Sequence, residues 1–133
     1  MKDIKIEKTF SYMGYDCVVT GTYRGYRCGY VKLKPDTYHE DLKLKVHGGI
    51  TFDGYHTFQG LLDSNFHIGF DCGHYSDGKD FELIKELCTS KKLLDSLLET
   101  YKDYNIGRVV RTTEYVENEL KKLVEQLIEK GIK

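Results

Sequence analysis

Tryptophan is absent from this 133-residue chain, proline occurs once, and no long apolar run is present. Without about 18 consecutive apolar residues, a transmembrane helix is not expected. The opening residues MKDIKIEKTF lack the apolar segment of a secretory signal, so we expect a cytoplasmic protein. Acidic and basic side chains nearly cancel, at 21 and 20, whereas nucleic-acid-binding proteins normally carry a basic footprint. Membrane, DNA and RNA partners are therefore not expected.

Closely spaced cysteines are also lacking. Cys17, Cys28, Cys72 and Cys88 lie far apart, and no two of them form a C-x-x-C pair. Structural zinc sites usually draw their ligands from close pairs, so we expect no metal site. In a reducing compartment the four thiols are expected to be free.

Motifs of common enzyme classes are missing: no nucleophile elbow, Walker loop, H-E-x-x-H or dinucleotide fingerprint occurs. A remaining enzyme hypothesis takes Cys72 as nucleophile, His74 or His47 as base and Asp71 as the orienting group. Adjacent strand residues point to opposite faces, so Asp71 and Cys72 cannot share a site without a bulge. We therefore expect a protein that is not an enzyme and has no cofactor.

The spacing of apolar residues changes clearly along the chain. Residues 1–75 show the alternation of strands, and residues 76–133 show the three-to-four-residue spacing of helices. Strands followed by helices indicate an α+β fold, with an N-terminal antiparallel meander and two or three C-terminal α-helices. By length, residues 1–133 form a single domain.

Several local signals place the strands and turns. Residues 2–34 are predicted to form a three-stranded meander, and residues 65–72 a later strand. Residues 42–46 alternate leucine and valine with lysine, which predicts another strand. Gly48-Gly49 suggests a bulge or a close approach to the backbone, and Asp53-Gly54 predicts a hairpin turn.

Three helices have recognisable ends. Asp80, Ser90 and one of Thr112 and Thr113 are suited to cap their first turns. Gly131 fits just past the end of the last helix. This helix carries an apolar stripe at Val116, Leu120, Leu123 and Leu127. The stripe suits a core-facing helix, or the apolar seam between the two subunits of a twofold dimer.

Arginine is scarce and clustered, occurring only as Arg24, Arg27, Arg108 and Arg111. Two strand residues three apart face opposite ways, and we choose Arg27 as the one that faces a pocket. Arg108 and Arg111 immediately precede the last helix, where guanidinium groups and free backbone N–H groups suit a phosphate. The alternative is that each pair makes local salt bridges, for example from Arg111 to the glutamates that follow it.

Aromatic residues are abundant, with eleven tyrosines and six phenylalanines. Phe66, Ile68 and Phe70 share one face of the predicted strand 65–72, and Phe70 lies nearest its end. A ring in that position can stack on a nucleobase, which contributes about 1–3 kcal/mol. One aromatic ring to stack on the base and several arginines to bind the phosphates would be enough to bind a nucleotide.

The blocks YRCGYV, VHGGITF, IGFDCGH and EYVENELKKLVEQL, in this order, resemble a family of small proteins encoded by phages and prophages, the anti-Thoeris sponge proteins. These proteins sequester a cyclic ADP-ribose isomer made by bacterial TIR-domain enzymes. The blocks cover most of the chain from about residue 26 to 127. The chain departs from the pattern in having Phe66-His67 where paired tryptophans are common, and a longer, more helical region 76–107.

The resemblance implies binding without cleavage, in the cytoplasm of an infected bacterium, by a homodimer or higher oligomer with ligand pockets between subunits. Carried over onto this chain, it gives a set of ligand-binding positions: Arg27, Cys28, Phe70, Arg108, Arg111 and Tyr115. The main alternative is a phage inhibitor that docks on a host protein through exposed tyrosines or a sheet edge and binds no nucleotide.

Overall fold

The computed structural model describes residues 4–58 and 65–133 and shows an α+β fold. Its elements are strands β1 (Ile4–Tyr12), β2 (Tyr15–Thr22), β3 (Arg27–Lys32), β4 (Phe52–His56) and β5 (Asn65–Asp71), and helices α1 (Phe81–Leu87), α2 (Lys91–Thr100) and α3 (Thr113–Glu129). The strands form one antiparallel sheet in the order β1-β2-β3-β5-β4. The predicted fold class, with a sheet followed by helices, is confirmed.

Helix α3 packs across β1, β2 and β3 and forms most of the core with them. Its apolar stripe faces the sheet, and the four residues of the stripe are fully buried, as is the neighbouring Val124. The stripe is therefore filled by the chain's own sheet. The interpretation of this helix as core-facing is confirmed, and its buried stripe is not available as a seam between subunits.

The helix ends follow the sequence signals. The side chains of Asp80, Ser90 and Thr112 accept hydrogen bonds from backbone N–H groups in the first turns of α1, α2 and α3. Gly131 has a φ of +71°, as expected for a residue that stops a helix. Among the described residues, no helix combines the length and the apolar character needed to cross a bilayer.

The strand predicted at residues 42–46 does not form. Lys45 exchanges two hydrogen bonds of 2.7 Å with the side chain of Gln126, and His47 N donates to Glu119 Oε1 at 2.9 Å. The segment therefore satisfies its backbone with side chains of α3 instead of a neighbouring strand. The alternation of apolar residues and lysines in this segment does not reflect a strand. It reflects the packing of Leu42 and Leu44 against the core that includes α3.

Asp53-Gly54 is not a turn, and the hairpin predicted there is wrong. Both residues lie inside β4, where Asp53 pairs with Ile68 and Gly54 with His67. The dipeptide favours a turn only when both flanking runs can pair with each other. In this chain the pairing partner is β5.

Candidate functional site

A cavity of about 470 Å³ lies where the turn after β2 meets the loop before α1 and the apolar face of α2. Four tyrosines and two basic side chains line it: Tyr23, Tyr26, Tyr101, Tyr104, Arg24 and Lys79. Ile84, Leu93 and Leu97 supply apolar wall. Small-molecule sites typically have such volumes, with largely apolar and aromatic walls and a few placed polar groups.

Two loops that are distant in sequence are joined at this cavity. Gly25 has a φ of +87°, which lets the chain turn sharply between β2 and β3. Asp80 N donates to Gly25 O at 2.7 Å, and the ammonium group of Lys79 donates to Arg24 O at 3.0 Å. These bonds fix the basic and aromatic side chains of the two loops relative to one another.

Lys79 lies against two aromatic faces of the cavity. Its Nζ is 4.5 Å from the ring centre of Tyr101 and 5.0 Å from that of Tyr104, which are cation–π distances. Burial, helped by the nearby positive charge of Arg24, lowers the pKa of the Lys79 ammonium group. Arg24 itself is exposed at the rim, and its guanidinium group lies 5.7 Å from the ring centre of Tyr23.

Arg108, which the sequence analysis selected, lies behind one wall of the cavity. Its guanidinium group is 4.1 Å from the ring centre of Tyr104 and 5.1 Å from that of Tyr75. Nε donates to Tyr75 O at 2.9 Å and Nη1 donates to Tyr104 O at 2.7 Å. Arg108 therefore positions a tyrosine that lines the cavity.

Arg111 and Tyr115, two more of the selected residues, belong to a polar cluster around Asp77. Arg111 Nε donates to Asp77 Oδ1 at 2.9 Å, and His47 Nε2 lies 2.9 Å from Asp77 Oδ2. The other ring nitrogen of His47 is 2.8 Å from Tyr115 OH. Asp77 also borders the cavity, but both of its carboxylate oxygens are engaged. Arg111 pairs with this aspartate, and the suggested salt bridges to the following glutamates are not observed.

Asp77 is the charge centre of that cluster, and its side chain is fully buried. Burial alone would raise the pKa of its carboxyl group. Hydrogen bonds from Arg111, His47 and the backbone N–H of His74 outweigh burial and hold the pKa below its usual value. The carboxylate therefore stays ionised and ties three segments together.

The remaining selected residues, Arg27, Cys28 and Phe70, are all buried away from the cavity. Arg27 pairs with Glu7 at 2.6 Å and Asp80 at 2.8 Å. Burial raises the pKa of the Cys28 thiol to about 11. The Phe70 ring is 1% exposed in the core, so the structure does not present it to a ligand.

The enzyme hypothesis also meets an unsuitable environment. Cys72 is 1% exposed, and burial raises the pKa of its thiol, whereas a nucleophilic cysteine needs a lowered pKa. Asp71 accepts hydrogen bonds from Thr51 and from Gly73 N. Within residues 4–58 and 65–133, no group of three histidine, cysteine or acidic side chains is arranged to hold a metal ion.

Sequence reasoning missed the tyrosines of the cavity and chose Arg27 instead of Arg24. A usable signal was present in the spacing: Tyr23 and Tyr26 lie on either side of one turn, and Tyr101 and Tyr104 lie just after the end of α2. No protein-family model matches the chain, and no curated protein or solved structure shows significant similarity to it.

Proposed function

We propose that this protein binds a small anionic nucleotide of the cyclic ADP-ribose class in the tyrosine-lined cavity and retains it without cleaving it. In an infected bacterial cell, such retention would withdraw an immune signal of the Thoeris type from solution. The observation that carries the proposal is the lining of this cavity, which includes four tyrosines together with Arg24 and Lys79.

The chemistry of the cavity suits the two parts of such a ligand. Tyrosine rings offer faces for a nucleobase, and each base–aromatic stack contributes about 1–3 kcal/mol. Phosphates that leave water need charge-assisted donors in return. Arg24 at the rim and Lys79 inside provide a guanidinium group and an ammonium group at one side of the cavity.

Helix α2 gives further support. None of its residues is buried, although Leu93, Leu94, Leu97 and Leu98 form one apolar face. Leu93 and Leu97 line the cavity. Half-exposed leucines around a cavity are expected to gain burial when a ligand fills it, at about 25 cal/mol for each Å² removed from water.

The resemblance to the sponge proteins supports binding without chemistry, although the cavity uses different residues from those carried over. Two of the positions that the resemblance implies lie next to the cavity. Arg108 contacts the cavity tyrosine Tyr104, and Arg111 forms a salt bridge with Asp77, which borders the cavity. We propose that these two arginines position the cavity wall and that ligand contact falls to Arg24, Lys79 and the tyrosines.

An exposed apolar patch favours a second candidate, a docking module. Tyr75, Ile106 and Val109 are 86%, 77% and 54% exposed. Hydrogen bonds from Val109 N to Ser76 O and from Arg108 Nε to Tyr75 O hold the two segments of this patch together. We propose this patch as the surface that would dock on a host protein in that second candidate function.

One experiment separates these functions. The protein is incubated with an extract that contains the TIR-generated signal, re-purified, weighed by native mass spectrometry, and then heated to release any ligand. Release of an unaltered nucleotide supports sequestration, and a consumed nucleotide supports an enzyme. Release of nothing, with a new protein bound, supports docking. The native mass also reports whether the protein is a dimer.

A further inference from the structure

Helix α2 and the turn after it form one side of the tyrosine-lined cavity but are only loosely packed on the rest of the molecule. Leu93 and Leu97 of the helix and Tyr101 and Tyr104 of the turn line the cavity. None of the α2 residues is buried, and α1 is its main neighbour among the helices and strands. The main core contains no residue of α2. Movement of α2 away from the cavity would therefore uncover a ligand without exposing the core.

Polar contacts also distinguish α2 from the core helix α3. Among the described residues, the side chains of Lys91–Thr100 make no hydrogen bond or salt bridge to another helix or strand, and Glu99 pairs with Lys102 in the following turn. By contrast, α3 is bonded to β1 through Glu117 and to the loop before β4 through Gln126. The attachment of α2 therefore depends on the residues that follow it.

Asn105 fastens the turn after α2 to the opposite side of the cavity. Its Oδ1 accepts a hydrogen bond from Lys79 N at 2.6 Å, and its Nδ2 donates to Lys79 O at 2.8 Å. Gly78 leaves room for this side chain, because a Cβ at Gly78 would lie 2.8 Å from Asn105 Oδ1. Asn105 itself does not line the cavity. It joins two sides of the cavity from outside the space that a ligand would fill.

Short connections bound the segment that α2 and this turn form. Residues 88–90 join α1 to α2 without helical structure, and Gly107, with a φ of +76°, ends the turn. Arg108 adds a further attachment at this end, since its Nη1 donates to Tyr104 O at 2.7 Å. Segments with few buried apolar contacts open at a lower free energy than the core does.

We propose that residues 91–107 form a lid that opens to admit a ligand to the tyrosine-lined cavity, and that Asn105 is the clasp that keeps the lid closed. Opening breaks the two hydrogen bonds between Asn105 and Lys79. The 10-residue helix α2 is marginally stable in water by itself, so opening also exposes its backbone amides to exchange. A bound ligand leaves no faster than the lid opens. This role in ligand retention rests on the proposed function, whereas the opening itself takes place with or without a ligand.

Hydrogen–deuterium exchange of the ligand-free protein, followed by peptide mass spectrometry, measures the opening directly. Asn105→Ala should raise the exchange rate of residues 91–104 about tenfold or more, because both backbone groups of Lys79 lose their partner. Lys102→Ala is the matched control within the lid, since its pair with Glu99 is exposed, and should change the rate less than about threefold. Exchange in residues 116–127 of α3 should be the same in all three proteins, which shows that the variants remain folded.

Binding kinetics test whether the lid controls the ligand. Stopped-flow mixing with a purified cyclic ADP-ribose isomer should show that Asn105→Ala raises the association and dissociation rate constants by similar factors. The dissociation constant should change little, because the clasp closes the empty and the occupied protein alike. A residue that contacted the ligand would instead weaken binding mainly through faster dissociation.

The two experiments fail separately. Absence of binding to every protein would remove the proposed function, and the exchange rates alone would then decide whether the lid exists. Exchange in residues 91–104 that does not rise in Asn105→Ala, or that rises no more than exchange in α3, would overturn the proposal. Faster dissociation in Asn105→Ala without faster association would also overturn it.

Discussion

Arg27 connects an edge of the sheet to the helical half of the molecule. Its guanidinium group pairs with Glu7 on β1 and with Asp80 at the start of α1, and Nη1 donates to Arg111 O at 3.1 Å. Glu7 can reach it because β1 has a bulge between Ile6 and Lys8, which leaves Glu7 outside the strand register. The side chain of Arg27 is only 8% exposed, so solvent screens these pairs little.

Arg27→Ala is therefore expected to lower the free energy of unfolding by about 3–5 kcal/mol, since two carboxylates would lose their buried partner. Urea unfolding measures the change. Lys5→Ala is the matched control, because its pair with Glu86 is exposed and such pairs contribute less than about 1 kcal/mol. Similar small losses in both variants would contradict a structural role for Arg27.

Asp77 makes stability depend on pH. The folded-state pKa of Asp77 lies below the usual value. Its contribution to the free energy of unfolding is therefore fully present above the unfolded-state pKa of about 3.9. That contribution is lost as the pH falls through the folded-state pKa. Asp77→Asn should destabilise the protein by about 2–3 kcal/mol at pH 7, because hydrogen bonds to a charged acceptor are replaced by neutral ones.

The difference in unfolding free energy between the unchanged protein and Asp77→Asn should shrink as the pH is lowered below about 4. Urea titrations at several pH values measure this difference. A gap that stays constant from pH 7 to pH 3 would show that the aspartate is not held ionised by Arg111 and His47.

Among the elements, the Gly48-Gly49 turn brings His74 against the backbone. Both glycines have positive φ values, +70° and +82°. A Cβ at Gly48 would meet His74 Nε2 at 2.1 Å, whereas a Cβ at Gly49 would meet nothing within 4 Å. The close approach that the glycine pair suggested is thus confirmed, with the His74 ring as the approaching group.

The two glycines form a matched pair of test positions. Gly49→Ala should cost about 1–2 kcal/mol of stability through backbone strain alone. Gly48→Ala adds displacement of the His74 ring and should cost clearly more. Thermal unfolding of the two variants compares them, and equal losses would show that the His74 contact is unimportant.

Elements with local signals could be predicted, and those with distant partners could not. Met13-Gly14 joins β1 and β2, and the caps at Asp80 and Ser90 depend only on residues nearby in sequence. The segment 42–46 could not be predicted as irregular, because its hydrogen-bond partners lie on α3. A local pattern carries no information about a helix that begins some 70 residues later.

At the scale of the whole molecule, the same distinction applies to the site. Arg27 and Phe70 had suitable chemistry in the sequence, but the fold uses them for an internal ion pair and for the core. Arg24 and Lys79 were overlooked because the cavity between them forms only when the turn after β2 meets the loop before α1. The chemical type of a candidate binding residue could be predicted from the sequence. Whether its side chain is accessible to a ligand depends on how the sheet and helices pack together.

The cavity, assembled from segments far apart in the chain, is the basis of the functional account. Isothermal titration calorimetry with a purified cyclic ADP-ribose isomer tests it most directly, using the unchanged protein, Tyr101→Ala, and Tyr55→Ala as the control on an exposed tyrosine of β4. The account predicts tight binding to the unchanged protein and to Tyr55→Ala, and a dissociation constant raised about tenfold to hundredfold in Tyr101→Ala. Equal affinities for all three proteins, or no binding to any of them, would contradict it.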